Sequence, residues 1–278
     1  MPITERMQKG FFENKLPFII KAGTGILGFF LVSIIISRLV YPFDIGHLEA
    51  FNWMPATHLL EGKNPYAFAF TPPYSMTPYG IVYYALLAVG IKFFGLQLWW
   101  GRFLTVLGFA VCLWAVIKIT RKITDSKEAV WTACLVSLAL FPAHAWLAMT
   151  RSDLIGLAFA SAAVALVFTS EKDSPLSFGR LLVVILLAVA AFFTKHTFLL
   201  PVGIIGLRFW QLNKWREIGV FSAAFLILTA AGMFLLNATS DGGYWWQHFI
   251  HAQRLPCENR NGKLDPPGHH PGNVEEHD

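Results

Sequence analysis

Asp44 and Glu49 lie in Phe43-Asp44-Ile45-Gly46-His47-Leu48-Glu49, directly beyond the first long apolar run of the chain. A carboxylate that leaves an apolar segment and faces water stays ionised at little cost. It can then accept the proton of an attacking hydroxyl or balance charge that develops on a sugar ring. Asp44 is the candidate catalytic base; the competing reading is a polar residue that anchors the end of the run at an interface. Glu49 lies five residues on, so on a helix it need not face the same way. It fits a substrate-binding group and a solvated rim residue equally well.

Two further stretches carry charge between apolar runs. In Thr150-Arg151-Ser152-Asp153, Ser152 or Asp153 suits the cap of the following helix; Asp153 beside Arg151 also suits catalysis, or the binding of a divalent metal ion or a phosphate. In Phe193-Thr194-Lys195-His196-Thr197, Lys195 fits an anionic lipid phosphate, with snorkelling to the interface as the alternative. An ionisable group at mid-bilayer costs at least ~2.5 kcal/mol, so such residues face water or one another. Arg102, Arg151, Lys195 and His196, with Glu49, are therefore the candidate substrate-binding residues beside the candidate catalytic Asp44 and Asp153. His47, His248, His251 and Arg254 are expected on the same face.

The elements that must position these residues are membrane helices. The chain is 55% hydrophobic and 14% charged, with mean hydropathy +0.51, and its apolar residues fall in runs of helical spanning length rather than short alternating strands. The expected fold is an all-α polytopic bundle with spans at residues 17–40, 99–119, 129–149, 154–169, 181–193, 197–210 and 218–237, about seven crossings. Residues 41–98 form an outer loop. Within it, residues 79–95 are short, carry Lys92, and are rich in Tyr79, Tyr83, Tyr84, Phe93 and Phe94, which reads as an interfacial helix rather than a span.

That placement puts Arg121, Lys122 and Lys127 on the inner side, with Lys172, Arg180, Arg208, Lys214, Arg216 and the N-terminal Arg6, Lys9 and Lys15. The net charge of +5 is thus a positive-inside pattern with a cytoplasmic N-terminus, and nucleic acid is excluded as a partner. Localisation reads as multi-pass in a bacterial inner (plasma) membrane, with an uncleaved first anchor. Cys112, Cys134 and Cys257 imply no disulfide framework. Gly23-Thr24-Gly25-Ile26-Leu27-Gly28 fits G-x-G-x-x-G, but no strand precedes it, so close helix packing is the better reading. Residues 1–256 make one membrane domain. Residues 257–278 turn abruptly polar and are expected to be disordered, as after a truncation or a shifted reading frame; their histidines lack zinc-ligand spacing.

The chain resembles the GT-C superfamily of polytopic membrane glycosyltransferases, which includes protein mannosyltransferases and aminoarabinose transferase. The resembling stretches are Asp44 in the first outer loop, Leu59-Leu60-Glu61-Gly62-Lys63-Asn64-Pro65-Tyr66, and Thr77-Pro78-Tyr79-Gly80-Ile81-Val82-Tyr83-Tyr84-Ala85-Leu86-Leu87. Arg102, Arg151-Ser152-Asp153 and Thr194-Lys195-His196 continue the order. The resemblance implies a polyprenyl-phosphate-linked sugar donor, transfer on the outer or lumenal face with inversion, and Asp44 as base. It also implies a supporting role for Asp153 and phosphate contacts from Lys195 with Arg102 or Arg151. The acceptor, whether glycan, lipid or protein, stays open. A transporter or flippase for an anionic lipid or solute, using Lys195 and the arginines, is the alternative, and an inactive membrane fragment is a third.

Overall fold

In a computed structural model of the protein, residues 3–45, 48–70, 72, 75–140, 147–171 and 176–250 are described, with side chains from Lys15 onward except those of Leu48 and Ile250. His47, Lys172, His251, Arg254 and the tail 257–278 lie outside the described residues, and so does the disorder expected for that tail. The described residues form helices α1 (Ile3–Val40), α2 (Leu48–Leu60), α3 (Ile81–Phe94), α4 (Leu98–Ile123), α5 (Lys127–Ala139), α6 (Asp153–Phe168), α7 (Phe178–Thr194), α8 (Leu200–Gln211), α9 (Trp215–Ala238) and α10 (Gly243–Trp245). A 3-10 turn (Pro65–Ala69) follows α2, and a π turn (Trp246–Ile250) follows α10. The expected all-α class holds among the described residues.

Three helical stretches are long and apolar enough to cross a membrane: Lys15–Val40, Leu98–Ile123 and Trp215–Ala238. Their apolar side chains are largely turned outward; Phe29 is 77% exposed and Phe234 76% exposed. A water-soluble fold would bury such surface, whereas lipid is its natural solvent. Local signals set several ends. Ser126 accepts from the Ala129 amide to cap α5, and Ser177 accepts from the Arg180 amide to cap α7. Arg180 itself donates to the Leu166 carbonyl at 2.6 Å and the Thr169 hydroxyl at 2.8 Å, covering the free carbonyl end of α6.

Side-chain pairings give the helix directions. Gly101 meets Thr150, Gly108 meets Leu154 and Cys112 meets Ser161, so α4 and α6 run parallel. Lys195 meets Asp153 at one end of the α6–α7 pair and Arg180 meets Leu166 at the other, so these two are antiparallel. Phe198 packs on Gly156 and Arg208 on Phe168, which makes α8 parallel to α6. On the far flank Gly23 meets Leu135 and Leu31 packs with Leu138, so α1 and α5 run together. Charged residues therefore collect in two layers: Glu49, Arg102, Arg151, Asp153 and Lys195 at one end, and Arg121, Lys127, Arg180, Arg208 and Lys214 at the other.

α3 does not join this up-and-down pattern. Its leading Gly80 donates to the Thr194 carbonyl at 3.0 Å, while Trp100 donates to the Leu86 carbonyl at 2.9 Å and packs on Gly90. Both ends of α3 thus rest on the layer that holds Asp153. The outer loop differs from a simple irregular stretch because it contains α2. Glu49, Asn52, Trp53 and Ala56 form its buried stripe at i, i+3, i+4 and i+7. Half of that stripe is polar, which is why no apolar run marks it.

Candidate active site at the Asp153 end of the bundle

Glu49 and Arg102 form the core of this layer. Glu49 is 1% exposed and Arg102 0% exposed, which corrects the reading of Glu49 as a solvated rim residue. The guanidinium donates through Nε to Glu49 Oε1 at 3.1 Å and through Nη2 to Oε2 at 2.8 Å. Its remaining N–H groups reach the carbonyls of Arg38 at 2.6 Å, Tyr41, and Phe43 at 2.6 Å. Every donor of the guanidinium fork is used. Glu49 is equally full: its Oε2 accepts from the Ile45 amide at 2.9 Å and its Oε1 from the Thr150 amide at 2.7 Å. Burial pushes this carboxyl up, but Arg102 and the two amides outweigh it and hold it below the ordinary carboxylate value.

The consequence is mechanical. The end of α1, the loop with Asp44, the start of α4 and the loop before α6 are bolted together at one ion pair. The last of these is tied further: Thr105 donates to the Met149 carbonyl at 2.6 Å, Asn52 donates to the Thr150 carbonyl at 2.9 Å, and Arg38 donates to the Leu147 carbonyl. Within it Ala148 takes φ 53°, a left-handed backbone that costs a non-glycine residue about 1 kcal/mol or more and persists because its neighbours are held on three sides.

That loop delivers Arg151 and Asp153. Asp153 opens α6, where the helix end favours a negative charge, but Ser152 does not cap the helix through its side chain; its hydroxyl is buried without a partner among the described residues. Asp153 Oδ2 accepts from Arg151 Nε at 3.1 Å, and Oδ1 accepts from Lys195 Nζ at 2.7 Å. The lysine also lies 5.9 Å from the centroid of the Tyr79 ring. It is part-exposed at 31%, so its remaining ammonium protons are open to a ligand. Two cations around one carboxylate leave a net positive centre. Such a centre suits an anion; a divalent metal ion at Asp153 would have to displace one of the two cations. Among the described residues no group of three or more His, Cys, Asp or Glu converges as metal ligands.

Asp44 stands differently. It is exposed, and its Oδ2 accepts from the Ala50 amide at 3.2 Å, near the start of α2. The carbonyl of its neighbour Phe43 is one of the groups held by Arg102, so a water-facing carboxylate is carried on a rigidly anchored backbone. The layer also holds buried polar atoms with no hydrogen-bond partner among the described residues: Trp53 Nε1, Tyr83 Oη, Thr150 Oγ1 and Ser152 Oγ. The Tyr83 hydroxyl lies within electrostatic reach of both Glu49 and Asp153. Buried polar atoms of this kind are normally satisfied by water or ligand.

His196 is built into a cap over the same end. Its Nε2 meets the Tyr244 hydroxyl, and its ring packs on Phe192 at 4.8 Å and His248 at 4.6 Å. Burial, then the neighbouring His248, pushes its pKa down to about 3. Tyr66, Tyr244 and Gln247 lock the loop after α2 to the α10 region: Tyr66 stacks edge-on against Tyr244 at 4.9 Å and donates to the Tyr79 carbonyl at 2.8 Å, while Gln247 accepts from the Thr77 amide. Sequence reasoning missed Asn52, Tyr83 and Tyr244. The signal for Asn52 was its i+3 spacing from Glu49 on a helix that hydropathy does not reveal.

Compared with known proteins, the chain matches no family model, no curated protein and no solved structure. The fold of the described residues and the three long apolar helices define it by class, as a helical protein of membrane type with a charged cluster at one end of the bundle.

Proposed function

We propose that this chain is a multi-pass membrane glycosyltransferase of GT-C type. In this reading α1 and α4 to α9 make about seven crossings, α3 lies along the interface, and the Asp153 end faces the outside or a lumen. The observation that carries the reading is the joining, through Glu49 and Arg102, of the loop that presents Asp44 to the loop that presents Arg151 and Asp153, with Lys195 reaching in from α7. An acidic, water-facing residue and a net cationic centre thereby share one rigid frame.

The chemistry follows from those groups. A sugar donor on a polyprenyl phosphate would set its phosphate against Lys195 and Arg151. The acceptor hydroxyl attacks the anomeric carbon and gives its proton to Asp44, while the bond from that carbon to the phosphate oxygen breaks. The electron pair leaves with the polyprenyl phosphate, whose charge the two cations meet, and attack opposite the leaving group inverts the anomeric carbon. Asp153 orients the cations. Glu49 and Arg102, assigned to substrate from the sequence, here hold the frame.

The test is a reconstituted assay with a polyprenyl-phosphate sugar in sealed proteoliposomes. Release of sugar-free polyprenyl phosphate is expected; movement of the intact lipid across the bilayer without cleavage would establish the transporter alternative instead.

A further inference from the structure

The cavity between the end of α4 and the start of α5 lies at the opposite end of the bundle from Asp153. It measures about 610 Å³, with Arg121, Lys127 and Asp125 at its mouth and Ile117, Val130 and Trp131 along its wall. Arg121 stands nineteen residues beyond Arg102 on one continuous helix. At roughly 1.5 Å per residue it is therefore about 28 Å away along the axis, the thickness of a hydrocarbon core. If the Asp153 layer lies at one membrane surface, this cavity lies at the other.

Its charges differ from those of the Asp153 layer and from Arg180 and Lys214. Arg102, Arg151 and Lys195 are bonded to carboxylates, and Arg180 and Lys214 to carbonyls. Arg121 and Lys127 are exposed and make no hydrogen bond or ion pair among the described residues. The nearby acids neutralise them only in part. Glu128 is engaged with the Ser126 hydroxyl at 3.1 Å and already lies in the field of Lys21 and Lys127, and Asp125 is a single charge against two. Lys118 and Lys122 add to the excess from the same helix end. Trp131, 41% exposed, lines the cavity with an amphipathic ring of the type that settles at head-group level.

We infer that this cavity binds an anionic phospholipid, its phosphate held between Arg121 and Lys127 and its acyl chains entering the bilayer past Ile117, Val130 and Trp131. The occupant is chosen by the combination of a cationic excess, Arg121 and Lys127 against Asp125, with the apolar wall of Ile117, Val130 and Trp131. A free phosphate would use the cations and leave the wall idle. A zwitterionic lipid would bring its own cation against Arg121 and Lys127. The site is separate from the proposed glycosyl-transfer centre and does not depend on it.

Native mass spectrometry of the full chain in detergent micelles tests this, titrating phosphatidylglycerol and phosphatidylcholine in parallel. The wild type is expected to bind phosphatidylglycerol preferentially, and Arg121→Gln/Lys127→Gln to bind it about 30-fold more weakly, at the usual contribution of a cation beside anionic lipid. Arg121→Lys/Lys127→Arg should keep the preference, and gel filtration of both variants should match the wild type because the changed side chains are exposed. Unchanged phosphatidylglycerol binding in the Gln variant overturns the inference. So does equal wild-type binding of the two lipids, or full competition by inorganic phosphate at the concentration of the lipid, which would make this a site for free anion.

Discussion

Removing one partner of the Glu49–Arg102 pair is the perturbation whose size the structure fixes best. In Arg102→Met the Glu49 carboxylate stays buried with only the Ile45 and Thr150 amides, and the carbonyls of Arg38, Tyr41 and Phe43 lose their donor. Stranding a buried charge in this way costs about 3–5 kcal/mol. Glu49→Gln strands the guanidinium instead and turns one amide proton toward another donor, with a loss in the same range of about 3–5 kcal/mol. The double variant Glu49→Leu/Arg102→Met removes both charges. It should lose less than the sum, with a coupling of about 2–3 kcal/mol, but it cannot recover the wild-type value because the three carbonyls remain unpaired. The assay is equilibrium unfolding in mixed micelles, raising the mole fraction of sodium dodecyl sulfate and following tryptophan fluorescence. Single-variant losses under about 1 kcal/mol, or strict additivity in the double variant, would refute the view that this pair holds the frame. Stable but inactive single variants would move Glu49 and Arg102 into the chemistry.

Three further outcomes are expected. Lys195→Met should lower kcat/KM for a polyprenyl-phosphate donor by about ten- to hundredfold, as expected for one charge-assisted hydrogen bond, with little change in unfolding because the lysine is part-exposed; an unchanged kcat/KM counts against a phosphate role. The His196 ring is buried neutral, with its pKa lowered from 6.5 to about 3. Between those values the unfolded chain binds the proton and the folded one does not, so this contribution to stability is complete above pH 6.5 and is lost as pH falls toward 3. His196→Phe should flatten that part of the stability profile, and a profile identical to wild type would exclude His196 as its source. Gly80→Ala would drive a methyl group into the Phe193 backbone carbonyl and should destabilise the protein by about 1–3 kcal/mol, read in the same unfolding assay; a neutral result means that α3 does not dock on the end of α7.

The apolar helices were legible because lipid solvation leaves its mark as long runs, and α4, α6, α7 and α9 fall within a few residues of the stretches read from hydropathy. The layer that holds the candidate site was legible only as a set of charges. Asp153, Arg151 and Lys195 stand apart in the sequence, and burial in a common layer brings them together. Glu49 and Arg102 looked like binding groups because a charge beside an apolar run suggests water or ligand. Each instead satisfies the other, a possibility that single residues cannot disclose across a separation of 53 positions. α2 escaped notice because its inward stripe is mixed: Glu49 and Asn52 bond the loop at Thr150, while Trp53 and Ala56 pack with Tyr83 and Leu87 of α3. The cap around Tyr66, Tyr244 and Gln247 was hidden for a related reason: it is built from short helical turns distant in the chain, too brief to show a period.

Asp44 bears the central claim, and it is open to a direct rate measurement. Its side chain is exposed and accepts from the Ala50 amide at 3.2 Å, a bond that an asparagine carbonyl can also accept, so Asp44→Asn should unfold within about 1 kcal/mol of wild type. Initial rates of sugar release from a polyprenyl-phosphate donor, compared between wild type and Asp44→Asn at equal amounts of folded protein, should fall by about 10²- to 10⁴-fold, the loss expected for a general base. An Asp44→Asn protein that transfers sugar at the wild-type rate would contradict the account.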